Sequence, residues 1–472
     1  MLVVRIQNSR HFPRPSVRGR LLALATLLAT SCCAGVDAHE EFDRTAAEIR
    51  GHVGTAETWT PDSRAETIQA SVAQMFADGV LTVDEAVRVA LLANPGLQAS
   101  FFEVGISKAD LVAAGRPQNP VAAISARFPE GGGLVNLTLS LSQSLIDLLL
   151  IPARTDAAKA HLEIARGRVV RSAVVLAGRV EREVLDLAAL RLAHTTATDS
   201  LALAQRSSKL ARARFKAGLG DQVDVALSNA AVLDARRELL VVDKEQAVGR
   251  AKLAALLGIG RLAQPWHVAG NPSFARLDHD GDTNALVRQA LDRRLDVRIA
   301  QLLVQAITGE RRVERRSVIH NLALGFEHER PETPPSLTGP SLQIELPLFS
   351  RNEPGVARED FRLAAAKRSL AQRRLDTTRE VREAVARAGA ARALVSLFED
   401  EILPAARTSV ELSRHAWEAG ERQVLVVLEA QRTLLAQRTK YTESLRMAAR
   451  AQADLDVAMG GPVGAPQHGA DR

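Results

Sequence analysis

The chain has 472 residues and a formal net charge of +6, and 46% of its residues are hydrophobic while only 3% are aromatic. Its 61 Lys and Arg residues are interspersed with 55 Asp and Glu residues, and the sequence contains no nucleic-acid-binding motif. Both observations argue against a nucleic-acid-binding protein. The many small and aliphatic residues instead indicate long helices and coiled coil.

The N-terminus has the pattern of an export signal. Five arginines lie between Arg5 and Arg20, followed by the apolar stretch Leu21–Ala29 and then by small residues. We predict a signal peptide over 1–31. The sequence Ala-Thr-Ser-Cys ending at Cys32 is similar to a bacterial lipobox, so we expect lipidation of Cys32. An ordinary signal cleaved nearby remains the alternative. Both cysteines of the chain lie at this boundary, so no disulfide is expected in the mature protein.

No later apolar run is long enough for a membrane-spanning helix, which needs about 18 to 20 residues. Two segments alternate apolar and polar residues instead, "LVNLTLSLSQS" from Leu134 and "SLQIELPLF" from Ser341. Each follows a weaker strand and a turn rich in Gly or Pro, which predicts β-hairpins over 120–145 and 320–349. Four strands cannot close a barrel, whereas three chains would supply twelve. A soluble four-stranded sheet with one wet face remains the alternative.

Four long helices are predicted around these hairpins, over about 153–216, 221–257, 356–419 and 423–459. Gly218 and Gly420 follow Ala at corresponding points and are expected to stop the helices and reverse the chain. Both stretches are therefore predicted to be the tips of long helical hairpins.

The two halves of the sequence correspond to each other, which indicates an internal duplication. Corresponding segments recur at an offset near 200, for example "AVRVALLANPGLQAS" from Ala86 and "LVRQALDRRLDVRIA" from Leu286. We predict an N-terminal extension over 32–80, a first repeat over 81–282, a second repeat over 283–460 and a disordered tail over 461–472. Each repeat consists of a helix, a β-hairpin and a long helical hairpin.

In this arrangement the chain resembles the TolC-type outer-membrane efflux proteins. "LTVDEAVRVALLANPGLQAS" is similar to the opening helix of that family, and "LTGPSLQIELPLFSRNEPGVARED" to its strand leading into the second long hairpin. The resemblance, closest to the heavy-metal efflux branch, implies a mainly α fold with a small β part. It also implies a homotrimer with a shared twelve-stranded β-barrel in the outer membrane and an α-helical tunnel across the periplasm.

The resemblance also assigns roles to residues. The tips would dock to a periplasmic membrane-fusion adaptor that serves an inner-membrane pump, expected to be of the RND type. The exposed docking residues would be Gly218, Leu219, Asp221, Val223, Asp224, Gly420, Arg422, Val424 and Leu425. The polar residues of the strands would line the barrel lumen, namely Thr138, Ser140, Ser142, Gln343 and Glu345.

Carboxylates near the second tip would form the entrance gate. Where the best-known member of the family has two aspartates, this chain has Val426 and Glu429, and Asp224 lies opposite Val426 in the repeat. We expect Asp224 and Glu429 to narrow the entrance and to make it sensitive to protonation and divalent cations. Solvated helical carboxylates are the alternative interpretation.

The sequence predicts no enzyme activity, catalytic site, cofactor or resident metal. His320 and His328, with Glu327 and Glu329, could hold metal ions at a barrel mouth, but an exposed pair of histidines explains them more simply. The predicted function is a passive outer-membrane efflux channel for metal ions or small toxic compounds. A periplasmic coiled-coil scaffold with a soluble β-domain is the alternative.

Overall fold

A computed structural model of the chain describes residues 35–55, 57–128, 130–260, 266–269, 282–319, 321–331 and 335–461. The chain divides into two units, Met1–Asp37 and Ala38–Arg472, and the features below belong to the second. The predicted signal peptide, Cys32, His320 and all of the predicted tail except Gly461 lie outside the described residues.

The N-terminal segment packs on the middle of the molecule. It contains α1 (His39–Val53), α2 (Ala65–Met75) and β1 (Val80–Leu81), and β1 pairs in parallel with β4 (His267–Val268). Its apolar side chains, among them Ile49 and Phe76, enter the main hydrophobic core.

Each repeat then begins with a short helix followed by a longer one. The first repeat has α3 (Val83–Ala93) and α4 (Pro95–Ala114), and the second has α7 (Thr283–Arg293) and α8 (Leu295–Arg316). A capping box between Thr82 and Glu85 starts α3. No described helix has by itself the length and apolar composition to cross a membrane, although α3 and α4, bent by 50° at their junction, meet both criteria as a pair.

The long hairpins follow. The first consists of α5 (Leu145–Lys216) and α6 (Gln222–Leu257), and the second of α9 (Glu353–Leu397), a π-helical turn (Phe398–Ile402), α10 (Leu403–Glu418) and α11 (Val424–Met459). With 72 residues, α5 is about 110 Å long. It begins eight residues earlier than predicted because Pro152 lies within the helix and Ser144 caps its first turn.

Buried residues seven positions apart, most of them small, pack the two helices of the first hairpin together. Leu190, Ala197, Ala204 and Ala211 are buried on α5, and Ser228, Ala235, Val242 and Gly249 are buried on α6. A Cβ at Gly249 would lie 2.8 Å from Cδ2 of Leu187, so the two helices approach more closely there than a larger residue would permit. This seven-residue spacing is that of a coiled coil.

The two β-hairpins are β2 (Val121–Arg127) with β3 (Asn136–Ser144), and β5 (Leu322–Arg330) with β6 (Leu337–Ile344). Their four strands form one antiparallel sheet in the order β2-β3-β5-β6. The predicted fold class, mainly α with duplicated helical hairpins and two β-hairpins, is confirmed.

Candidate functional site

One face of the sheet is polar. The register aligns Thr138 with Glu329 and Ser140 with Glu327 on β5, while Gln343 on β6 pairs with Ala323. Because paired residues in an antiparallel sheet share a face, these side chains form one surface. It consists of Ala123, Ser125, Arg127, Asn136, Thr138, Ser140, Ser142, Ser144, Ala323, Gly325, Glu327, Glu329, Gly339, Ser341 and Gln343, with the apolar Val121 and Leu337 at the starts of β2 and β6. Glu345 lies just beyond β6, where its amide donates to the Asn321 carbonyl at 2.9 Å.

The sequence identified Thr138, Ser140, Ser142, Gln343 and Glu345 as polar strand residues but missed the position of Glu327 and Glu329. The register brings these two glutamates onto the same face, and Glu329 Oε1 accepts a hydrogen bond from Asn136 Nδ2 at 2.9 Å. The alternation of β5 around His328 is weak, so only the pairing across strands reveals where its glutamates lie.

The opposite face is apolar and uncovered by the rest of the described chain. Its large side chains are exposed: Ile124, Leu139, Leu141, Leu324, Phe326, Leu342 and Ile344. Leu342 is 65% exposed and Ile124 is 73% exposed. A contiguous apolar surface of this kind marks contact with a membrane or another protein. The sheet therefore has the two-faced character of a membrane strand array.

Both edges of the sheet are open. β2 and β6 are the end strands, and each has a single neighbour in the chain. Unpaired edges leave backbone hydrogen-bonding groups free to pair with strands of another chain.

The first helical tip lies at Gly218, whose φ of +72° permits the reversal. The amide of Leu219 donates to the Arg214 carbonyl at 2.9 Å, and Asp221 Oδ1 caps the next helix by accepting from the Val223 amide at 3.2 Å. Gly218, Leu219, Asp221 and Val223 are exposed, and Asp224 is half-buried.

The second tip repeats this geometry at Gly420, with a φ of +80°. Gly420, Arg422 and Leu425 are exposed, but Val424 is completely buried, so the prediction that Val424 is an exposed docking residue is wrong. Val424 packs with Trp417, Val427 and Leu428, and this cluster also contacts Leu227 and Ala231 of the first hairpin. An apolar residue at the start of α11 is needed to close the turn against Trp417.

The two tips of one chain therefore contact each other. The guanidinium of Arg214 lies over the Trp417 ring, 5.4 Å from its centroid. Of the two carboxylates predicted to form the gate, Glu429 is exposed and accepts from Arg432 at 3.4 Å, and Arg432 also lies 4.0 Å from Asp234. Asp224 is in the first turn of α6.

The sequence model of the family described as outer membrane efflux protein matches residues 86–259 and 286–461. The chain belongs to this family. It is therefore the outer-membrane channel component of a tripartite efflux system, a family of channels and not of enzymes. Membership implies assembly as a trimer with adaptor and pump partners, and leaves the soluble-scaffold alternative without support.

Named relatives and a solved structure agree with this family. The chain is 29% identical over 406 residues to protein CyaE of Bordetella pertussis, covering 80% of this chain and 81% of the relative. It is 25% identical over 403 residues to the cobalt-zinc-cadmium resistance protein CzcC of Cupriavidus metallidurans, covering 81% and 91%. The crystal structure of the outer membrane protein VceC from Vibrio cholerae has the same fold, with a TM-score of 0.67, 17% identity and coverage of 80% and 96%.

The described residues of this efflux protein contain no group of three or more His, Cys, Asp or Glu side chains arranged to hold a metal ion. His328 Nδ1 lies 2.7 Å from Thr338 Oγ1 on the apolar face, away from Glu327 and Glu329. The structure therefore separates the predicted histidine and glutamate positions onto opposite faces.

Proposed function

We propose that three copies close their sheets edge to edge into one twelve-stranded barrel, with the apolar face toward lipid and the polar face toward the lumen. The observation that carries the proposal is the alternation of an uncovered apolar face and a polar face across four strands with two open edges. Closure of the barrel pairs the backbone hydrogen-bonding groups of the edge strands, because unpaired backbone groups are not tolerated in lipid.

In this barrel the lumen is lined by Thr138, Ser140, Ser142, Gln343 and Glu345, together with the glutamates of β5. Threefold symmetry turns Glu327 and Glu329 into two neighbouring rings of carboxylates, against one ring of Arg127 on the same face. The carboxylates outnumber the guanidiniums, so the lumen favours cations over anions.

The helices support the same assembly. Exposed apolar residues seven positions apart on α6, namely Ala226, Leu233, Leu240 and Ala247, lie apart from the residues that contact α5. Exposed small and apolar residues on α9, including Ala386, Ala393 and Leu397, form a matching stripe. Packing of α6 of one copy against α9 of the next closes the tunnel wall.

At the tips, Gly218, Leu219, Asp221, Val223, Asp224, Gly420, Arg422 and Leu425 contact the adaptor, and Asp224 and Glu429 narrow the entrance. The contact between the two tips of a chain supports their acting as one docking unit. We assign the same chain a cleaved signal over 1–31, a lipid on Cys32 and no enzyme activity.

The cargo we favour is metal cations, supplied by an RND-type pump, because one relative is named for cobalt, zinc and cadmium resistance. Deletion of the chain should sensitise cells to these cations. If sensitivity rises only toward organic toxic compounds, the cargo is the alternative class.

The orientation of the sheet is tested by adding one tryptophan at either of two neighbouring positions of β6. Leu342→Trp should be quenched by brominated lipid, whereas Gln343→Trp should be quenched by aqueous iodide and not by lipid. The parent protein, with its three helical or loop tryptophans, gives the background. Equal quenching of both probes by one agent would contradict the proposed barrel.

A further inference from the structure

Two adjoining cavities lie along the groove between α5, α6 and α11. Their volumes are about 320 Å³ and 260 Å³, and Leu435 and Arg438 line both of them. The cavities arise because Ala197, Ala204 and Ala235 occupy the buried coiled-coil positions here, so α5 and α6 come close while α11 cannot fill the remaining space. Well-packed interiors have few voids larger than a water molecule.

The first cavity has an apolar interior and a charged rim. Leu203, Ala204, Ala235, Leu428 and Leu434 form its walls. The rim carries Asp199, Asp234, Arg206 and Arg432. Apolar cavities half this size hold benzene, and ligand pockets begin at about 300 Å³. The space therefore suits an organic molecule with one compact ring system.

Arg438 separates the cavities and has an unusual environment. It is half-buried, and within the described residues no side chain accepts a hydrogen bond from its guanidinium and no carboxylate forms an ion pair with it. Burial and the nearby charge of Arg407 lower the pKa of Arg438, and Asp199 opposes them. A guanidinium has five donors, and those of Arg438 have no side-chain acceptor among the described residues, so they are available to a bound anion.

The other arginines of the two cavities differ from Arg438. Arg432 pairs with Glu429, and Arg446 donates to Glu245 at 3.0 Å. Arg206 is exposed and can be hydrated. Among the described residues, Arg438 is therefore the half-buried guanidinium of this groove that forms no ion pair.

We propose that the first cavity is a binding site for a compact organic monoanion, whose ring occupies the apolar space and whose carboxylate or sulfonate pairs with Arg438. Such a ligand would contact α5 and α6 of the first repeat and α11 of the second, and would stabilise their present arrangement. The site does not depend on conduction through the channel, so its test is independent of the proposed cargo.

The test uses the full-length protein exchanged into amphipol and equilibrium dialysis with naphthalene-2-sulfonate. Naphthalene-2-sulfonamide, which has the same ring and no charge, is the comparison probe. We expect the sulfonate to bind at least tenfold more tightly than the sulfonamide. Arg438→Gln should remove this preference, whereas Lys440→Gln, an exposed position on the same helix, should retain it.

A second variant tests the cavity itself. Ala204→Leu should weaken the binding of both probes at least tenfold by filling the apolar space, and it remains informative if Arg438→Gln does not fold. The proposal is overturned if the sulfonate shows no preference over the sulfonamide, if Arg438→Gln leaves the preference unchanged, or if Ala204→Leu binds as the parent does. If a neighbouring copy supplies a carboxylate to Arg438, the guanidinium is already paired and the sulfonate shows no preference over the sulfonamide.

Discussion

Arg294 donates a hydrogen bond from Nη1 to the backbone carbonyl of Ala458 at 3.3 Å, joining the start of the second repeat to its last helix. The first repeat has the same connection 200 residues earlier, where Asn94 Nδ2 donates to the Leu256 carbonyl at 2.8 Å. Each contact satisfies a carbonyl in the last turn of α6 or α11, which has no partner within its helix. The duplication therefore includes the hydrogen bond that joins the start of each repeat to its last helix.

Removal of Arg294 should strongly destabilise the second repeat. Its guanidinium also pairs with Asp296 at 2.6 Å and with Glu380 at 2.7 Å, and both Arg294 and Asp296 are buried. Arg294→Ala leaves the buried Asp296 with a more distant arginine, 3.8 Å away, and should lower the free energy of unfolding by about 3 kcal/mol. Urea unfolding of the protein in amphipol measures this. Arg298→Ala removes an exposed guanidinium from Glu48, which keeps a second arginine partner, and should cost less than about 1 kcal/mol. Equal losses in the two variants would contradict the prediction.

Stability should fall in acid partly through Asp296. Burial alone would raise the pKa of Asp296, but the hydrogen bond and charge of Arg294, with Arg171 and Arg373, outweigh it and lower the pKa. A lowered pKa in the folded state gives stability that is present above the unfolded value of about 3.9 and is lost as the pH falls through the folded value. Unfolding midpoints below about pH 4 should therefore depend less on pH in Asp296→Asn than in the parent. Equal slopes would rule out this linkage.

Two glycines with the same backbone conformation should differ in their tolerance of alanine. Gly258 and Gly218 have φ of +71° and +72°. A Cβ at Gly258 would lie 2.3 Å from the Ala93 carbonyl oxygen, whereas one at Gly218 would meet nothing within 4 Å. Gly218→Ala should cost about 1 kcal/mol of backbone strain, and Gly258→Ala several times more because α3 must move. Thermal unfolding of both variants checks this order, and similar losses would show that the contact is relieved without cost.

The single tyrosine of the chain gives a direct test of the π-helical turn. Tyr441 donates from its hydroxyl to Glu399 Oε1 at 2.6 Å and packs beside Phe398. Burial, then the hydrogen bond and charge of Glu399, raise the pKa of Tyr441. Tyrosinate absorbance should be absent from the folded protein at about pH 10.5, where a free tyrosine is mostly ionised, and should develop on unfolding. Glu399→Gln should bring ionisation to lower pH, and ionisation of the folded parent near pH 10 would contradict this contact.

Substitutions at two neighbouring residues of the second tip should have different effects, one on folding and the other on adaptor docking. Val424→Asp places a charge in the cluster around Trp417 and should destabilise the tip by about 3 kcal/mol. Leu425→Asp changes an exposed side chain and should leave the fold unchanged while reducing efflux through weaker adaptor binding. Proteolysis of the tip and efflux by cells carrying each variant distinguish the two. Normal efflux with Leu425→Asp would remove Leu425 from the docking surface.

Periodic features were predictable from the sequence because they repeat. Alternation identified β3 and the second half of β6, from Ser341 to Ile344. The glycines at 218 and 420 identified the tips, since only a residue tolerant of positive φ reverses the chain there. Features set by contacts between distant segments were not predictable. Glu327 and Glu329 lie on the polar face of the sheet because of how β5 pairs with β3, and Val424 is buried because Trp417 covers it.

Two local departures also escaped prediction for physical reasons. Pro152 normally argues against a helix interior, yet α5 continues through it. The π-helical turn interrupts the spacing of buried residues on α9 and α10, where Phe398 is followed by Leu403 five residues later. This insertion shifts the apolar face by one residue, which a regular pattern cannot show.

The number of chains in the complex tests the account most directly, because a sheet with an uncovered apolar face and open edges requires partners. Native mass spectrometry of the protein extracted in detergent from the outer-membrane fraction gives this number. We predict three chains in a complex that is absent from the periplasmic soluble fraction. A soluble monomer recovered from the periplasm would contradict the shared barrel.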